Sequence, residues 1–165
     1  LELMTTSREV QKTMAEAIQG MWKKHLGVHV DIRSCEWTAY KFAQNSMQYD
    51  FSSSSWSGDY LDPSSFLDLW SSASGNNNTG WSRPEYERLL AESRATGDQE
   101  KRMALLARAE ALMLSESPVI PLYWARRSYL KRPEVRGWHP LLLDNHLFED
   151  ISLGAPREQG KEAAP

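Results

Sequence analysis

Residues 1–33 read LELMTTSREVQKTMAEAIQGMWKKHLGVHVDIR, and this stretch decides the fold class. Leu1 to Ser7 has the character of a strand. Ser7 predicts an N-cap, after which Val10, Met14, Ala17, Ile18, Met21 and Trp22 recur at helical spacing. Lys23, Lys24 and His25 load the last turn with basic groups, and Gly27 supplies a C-cap. Val28 to Arg33 then alternates apolar and polar residues, a strand with Val28, Val30 and Ile32 on one face. Strand, helix and strand in succession form a βαβ unit, with parallel strands and a right-handed crossover.

The pattern continues as mixed α/β. A short helix is expected over 38–47, carrying Tyr40, Phe42 and Ala43, and Tyr49 to Phe51 reads as a strand running into a serine-rich loop. Asp62-Pro63 opens another helix, with Phe66, Leu67, Leu69 and Trp70 on its buried face. Ser71 to Gly80 is a turn-rich loop. Helices follow over 83–95 and 98–115, the second with Met103, Leu106, Ala109, Leu112 and Met113 on one side. Pro118 to Trp124 is expected as a strand whose prolines limit its ladder, and Ser128 to Lys131 as a further extended piece. Gly137 to Leu153 reads as irregular, with Trp138, Leu141 to Leu143 and Phe148 packing onto the body. Residues 154–165, rich in Gly, Pro, Ala and charge, read as a disordered tail.

The composition excludes several classes. At 165 residues, 41% hydrophobic and 25% charged, the chain is long enough for a core and is not a disordered or fibrous sequence. A net charge of −3 gives no electrostatic case for nucleic acid or an anionic membrane. The single cysteine, Cys35, excludes an internal disulfide and a CxxC-type zinc site. Seven Trp with 6 Tyr and 4 Phe are a heavy load of amphipathic rings, suited to a core and to a ligand cleft.

Nothing in the sequence demands catalysis, a metal or a cofactor. His25 and His29 are separated by Gly27 and do not share a helical face, and HExxH, GxSxG, GxxxxGK[ST] and GxGxxG are all missing. Cys35 reads as a small strand-end residue. Asp59 and Asp62 could pair for acid–base work, but Asp62 directly precedes Pro63 and is better explained as a cap. The distinctive segment is Tyr49 to Trp70. It places Trp56, Asp59 and Tyr60 at the carboxyl end of a strand, where open α/β sheets form ligand crevices. A carboxylate between aromatic rings there would pair with a ligand ammonium. A structural turn, with Gly58 for the backbone and Asp59 in an Asx bond, accounts for the same residues equally well.

An ordered set of segments carries a resemblance: Trp22-Lys-Lys-His-Leu-Gly-Val-His-Val30, Glu36-Trp37, Tyr49-Asp50-Phe51, Trp56-Ser-Gly-Asp-Tyr60, Asp62-Pro-Ser-Ser-Phe-Leu67, Asn76-Asn-Asn-Thr79, Tyr86, Ala109-Glu110 and Pro118-Val-Ile-Pro-Leu-Tyr123. Together they resemble the C-terminal part of the family 5 extracellular solute-binding proteins, the oligopeptide and dipeptide receptors of ABC importers. The resemblance covers residues 1–153. It implies one lobe, the C-terminal portion of a type II periplasmic-binding-protein-like α/β fold, with a mixed sheet flanked by helices. An N-terminal lobe of the same receptor would complete the cleft. The family's ammonium-pairing aspartate falls on Asp59, with Trp56 beside it and Tyr60 edging half of the cleft. Asn77 lies on a loop that approaches the ligand. Some family members carry a cysteine where this chain has Ser57, so no bridge from Cys35 to that position is expected.

The implied partners are a peptide and an ABC permease, with no nucleic acid and with self-association of the chain taken alone. The implied location is the periplasm or the outer face of a membrane. The same family also binds nickel chelates, oligosaccharides and opines. A competing expectation is a stand-alone interaction or dimerisation module built on the helices of residues 83–115.

Overall fold

In the computed structural model, which describes residues 1–154 apart from 127, 142 and 145, strand β1 (Glu2–Thr6) leads into helix α1 (Glu9–Leu26) and then strand β2 (Asp31–Cys35). The segment from 155 onward, expected as a tail, lies outside the described residues. β1 and β2 pair in parallel, from Glu2 opposite Asp31 to Thr6 opposite Cys35. The N-cap of α1 falls on Arg8 rather than Ser7, and no side chain caps it. Its other end closes as expected, at Gly27, where φ of 67° suits a residue without Cβ. β2 starts three residues later than the alternation suggested. Asp31 N–H donates to the Leu1 carbonyl at 2.9 Å, so residues 28–30 have no β1 residue opposite them. Val28, Val30 and Ile32 nevertheless pack together with Leu3, Ala15 and Ile18.

Helix α2 (Trp37–Asn45) begins at Glu36, whose carboxylate accepts the Thr38 N–H at 2.8 Å. Strand β3 (Phe51–Ser52) is parallel to β1, giving a sheet of order β2-β1-β3. Alternation along β1 explains the layering. Leu3 packs with Ala15 and Ile18 of α1, while Met4 packs with Tyr40 and Ala43 of α2, so helices cover both faces.

The chain divides into two compact units: Leu1–Ser57 with Asp62–Ile120, and Gly58–Leu61 with the chain from Pro121. The first unit continues with α3 (Ser64–Leu67), a 3-10 turn over Asp68–Trp70, α4 (Pro84–Ala95) and α5 (Gln99–Glu116). Leu67, Tyr86, Leu89, Leu90, Leu105, Leu106, Ala109 and Met113 make its second core. The expected stripe on α5 needs one correction. Met103 is 41% exposed, and Leu105, four residues from Ala109, takes the buried place.

Pro118 to Trp124 does not form a strand. Pro118 and Pro121 lack N–H donors, and Trp124 is 88% exposed. Ser128 to Lys131 is likewise without a ladder. The second unit instead holds a pair that the sequence did not suggest. β4 (Val135–Arg136) runs antiparallel to β5 (Ser152–Leu153), extended by Gly154 N–H donating to the Glu134 carbonyl at 2.7 Å. Gly137 sits at φ of 75°, where a Cβ would fall 1.8 Å from the Asp150 carbonyl oxygen. Trp138 packs edge-on against Tyr129 and stacks on His146, both within this unit. Phe148 is 85% exposed and does not pack, because its short 3-10 turn carries it outward.

Candidate functional site

All three strands of the sheet are parallel, so their carboxyl ends share one edge, at Thr6, Cys35 and Ser52. The edge is closed by backbone: Ser7 N–H donates to the Cys35 carbonyl at 2.8 Å, and Ser53 N–H to the Met4 carbonyl at 2.9 Å. Below it lies a buried polar network. Tyr40, 2% exposed on α2, donates to the Ser53 carbonyl at 2.5 Å and lies 2.9 Å from Ser52 Oγ. Gln44, one turn on, donates to Tyr40 Oη at 3.2 Å. A satisfied network at low dielectric fixes direction well, and here it sets the path by which the chain leaves β3. That path ends at Trp56. The strand stops at Ser52, four residues short of Trp56, and residues 53–57 leave the edge as irregular chain.

Trp56 is 40% exposed, and its indole N–H donates to the Ser65 carbonyl of α3 at 3.0 Å. Its donor is therefore engaged by the fold. Asp62 bears out the capping expectation: its Oδ1 accepts Ser64 N–H at 2.9 Å and Ser64 Oγ–H at 2.6 Å. It also receives a two-pronged bond from Arg102 of α5, at 2.7 and 2.8 Å. Hydrogen bonding from the guanidinium holds the Asp62 carboxyl well below the usual carboxylate range, with the Ser64 bonds acting the same way and partial desolvation opposing them.

Asn77 is half-buried and organises its own loop. Its amide NH2 faces the carbonyls of Trp70 at 3.1 Å, Ser71 at 3.3 Å and Trp81 at 2.9 Å. Its Oδ1 accepts Thr79 N–H at 3.2 Å and Thr79 Oγ–H at 2.7 Å. Tyr49 ties the loop back by donating to the Asn78 carbonyl, and burial of that phenol raises its pKa. Trp81 packs edge-on against the fully buried Tyr86 and donates to Glu116 at 2.7 Å.

Trp56 and Asn77 thus belong to the first unit, each tied to a different element. Asp59 and Tyr60 belong to the second, where both are exposed, Tyr60 by 47%. Sequence reasoning gave Trp37 no role, yet it stands 56% exposed in the first turn of α2. It stacks on Tyr40 at 5.9 Å and 17°, with the Lys41 ammonium 6.0 Å from its ring. Its place directly after β2, beside an N-capping Glu36, is the signal that could have found it. Among the described residues no cluster of three or more His, Cys, Asp or Glu side chains could hold a metal ion, and no helix is long and apolar enough to cross a membrane.

Residues 1–78 match the model of the bacterial extracellular solute-binding proteins, family 5 middle. The oligopeptide-binding protein OppA of Bacillus subtilis is 36% identical over 138 residues, which is 83% of this chain and 25% of that protein. The dipeptide-binding protein DppE of the same organism is 34% identical over 137 residues, again 83% of this chain and 25% of the relative. The chain belongs to the family 5 solute-binding proteins. It spans about a quarter of the length of these curated relatives. The crystal structure of a periplasmic oligopeptide-binding protein of Borrelia burgdorferi, OppAIV, superposes with a TM-score of 0.82 at 32% identity, over 93% of this chain and 31% of that one. The fold of this family 5 chain is accordingly that of part of a type II periplasmic binding protein.

Proposed function

We propose that the chain is the C-terminal lobe of a peptide receptor that feeds an ABC importer, with residues 1–153 as the lobe. The observation that carries this reading is the run from Trp56 to Tyr60. It follows β3 in the chain and carries, in sequence, an exposed carboxylate with an exposed aromatic residue on either side. Its relatives named for oligopeptide and dipeptide binding support peptides over other solutes.

Every unmodified peptide has an α-ammonium, so a single carboxylate can anchor any of them. A charge-assisted bond of this kind contributes about 1.5–3 kcal/mol. In this reading Asp59 accepts the ammonium, and Trp56, Tyr60 and Asn77 are further ligand-binding residues. Side-chain tolerance then comes from backbone-directed bonds and wet pockets. Closure onto an N-terminal lobe presents the loaded receptor to a permease outside the membrane. The reading is of a binding protein and not of an enzyme.

The competing module built on α4 and α5 gains little support. Those helices direct their apolar side chains at each other and at α3, and the outer face of α4 is ion-paired through Arg88 to Glu85 and Glu92. Calorimetry on the full-length receptor with a panel of free and N-acetylated peptides tests the proposal. Free peptides are expected to bind and Asp59→Ala to weaken them; equal binding of acetylated peptides would show that Asp59 is not an ammonium anchor.

A further inference from the structure

The turn that ends α2 carries a side chain where helices commonly carry none. Gln48 N–H donates to the Ala43 carbonyl at 2.8 Å and Met47 N–H to the Gln44 carbonyl at 3.1 Å. This pair of bonds closes a helix through a left-handed residue, usually glycine. Here that residue is Met47, at φ of 52°, where a Cβ is strained. Its side chain lies against Gly80, which is itself left-handed at φ of 72°, and a Cβ on Gly80 would fall 3.2 Å from the Met47 sulfur. The thioether thus rests where Gly80 leaves room by having no side chain. Two residues on, Tyr49 donates to the Asn78 carbonyl. Met47 and Tyr49 together tie the segment Asn78–Gly80 to the end of α2, and all of these residues belong to the first unit.

We propose that Met47 is a modification site: peroxide oxidises its thioether to the sulfoxide, and the change releases Asn78–Gly80 from the end of α2. Access permits the reaction. Met47 is 57% exposed, whereas Met4 is fully buried and Met113 is 5% exposed. In the step, a sulfur lone pair attacks one oxygen of hydrogen peroxide. An S–O bond forms, the O–O bond breaks, and the departing hydroxide takes up a proton and leaves as water. The sulfur is oxidised and the peroxide is reduced by the same electron pair. The product is polar, with an oxygen that needs water or a hydrogen-bond donor. An apolar sulfur can rest on Gly80; a hydrated sulfoxide turns outward, and the contact is lost. What remains at Met47 is a strained backbone without the contact that offsets it. Reduction of the sulfoxide back to the thioether restores the clasp.

The test is hydrogen peroxide treatment of the full-length receptor, wild type and Met47→Leu, with the added oxygen located by peptide mass mapping and the loop followed by amide hydrogen exchange. Wild type is expected to gain an oxygen at Met47 while Met4 stays unmodified. Exchange from Asn78 to Trp81 should then rise several-fold, with exchange along β1 and α1 unchanged, and methionine sulfoxide reductase should reverse both changes. Met47→Leu keeps an apolar side chain, so its loop should exchange like that of untreated wild type, before and after peroxide. Oxidation of Met47 no faster than that of Met4 overturns the proposal, as does oxidation of Met47 that leaves exchange in the loop unchanged. A rise that extends equally to β1 and α1 reports general unfolding and overturns it too. So does a loop that loosens equally in peroxide-treated Met47→Leu, because Met21 and Met103, 53% and 41% exposed, then carry the effect. If Met47→Leu loosens the loop before any treatment, the reductase decides in wild type: recovery of the loop supports the proposal, and its failure overturns it.

Discussion

Replacing Asn77 by alanine removes the organising group of the loop between the 3-10 turn and α4. The amide has two hydrogens and faces three carbonyls, at 2.9, 3.1 and 3.3 Å, while its oxygen accepts two bonds from Thr79. Four bonds is thus the full capacity of the side chain. At a net contribution of about 0.5–1.5 kcal/mol each, discounted because the site is half-buried and water replaces some of them, the loss should come to roughly 2–3 kcal/mol. Asn77→Asp is the sharper perturbation. It keeps the shape and the bonds from Thr79, but sets a carboxylate oxygen against three carbonyl oxygens. It is therefore expected to destabilise at least as much as alanine above about pH 5, and to recover in acid as the carboxyl protonates. Urea denaturation of the three proteins, followed by tryptophan fluorescence with Trp70 and Trp81 flanking the loop, gives the values. An Asn77→Asp protein as stable as wild type at neutral pH would refute the reasoning.

Other expectations rest on single contacts. Tyr86→Phe leaves the Leu67 carbonyl without its buried donor and should cost about 1–2 kcal/mol in the same urea titration. Gly137→Ala forces a Cβ into the Asp150 carbonyl at a left-handed φ, so amide exchange at Val135 and Gly154 should accelerate well beyond that of wild type. Asp62 has a folded-state pKa below its unfolded value. Its contribution is therefore present above the unfolded value, near about 4, and lost as the pH falls through the folded one. The stability gap between wild type and Asp62→Asn should accordingly narrow steadily between about pH 5 and about pH 2. A gap that does not change with pH would contradict the ionic part of that contact. The chain taken alone should self-associate through exposed side chains such as Ile120, Leu122 and Tyr123, and light scattering at rising concentration measures it.

The βαβ unit was legible because its signals are local: Gly27 stops α1, and the alternation Val28, Val30, Ile32 marks the buried face of the chain entering β2. The start of β2 was not legible, because a ladder begins where a neighbour begins, here Leu1. The stripe on α5 was misread at Met103, since a helix of Leu, Met and Ala offers several faces and only its contact with α4 selects Leu105. Pro118 to Trp124 has strand-like residues, but two of them cannot donate, and pattern alone does not reveal which backbone will have a partner. β4 and β5, two residues each, are too short to leave any period. At the candidate site, Trp56, Asp59 and Tyr60 stood out as residue types in sequence. The groups bonded to Trp56 and Asp62 did not. Ser65 serves through its carbonyl, which carries no sequence signature, and Arg102 meets Asp62 across 40 positions. Asn77 was visible as a turn residue, but its contacts depend on the path of the loop.

The central claim is that Asp59 receives the ammonium of a peptide. A crystal structure of the full-length receptor with bound trialanine tests it most directly. The expected result is an α-ammonium nitrogen about 2.7–3.0 Å from an Asp59 carboxylate oxygen. A bound peptide whose ammonium is held by another group, with Asp59 turned away from it, would contradict the account.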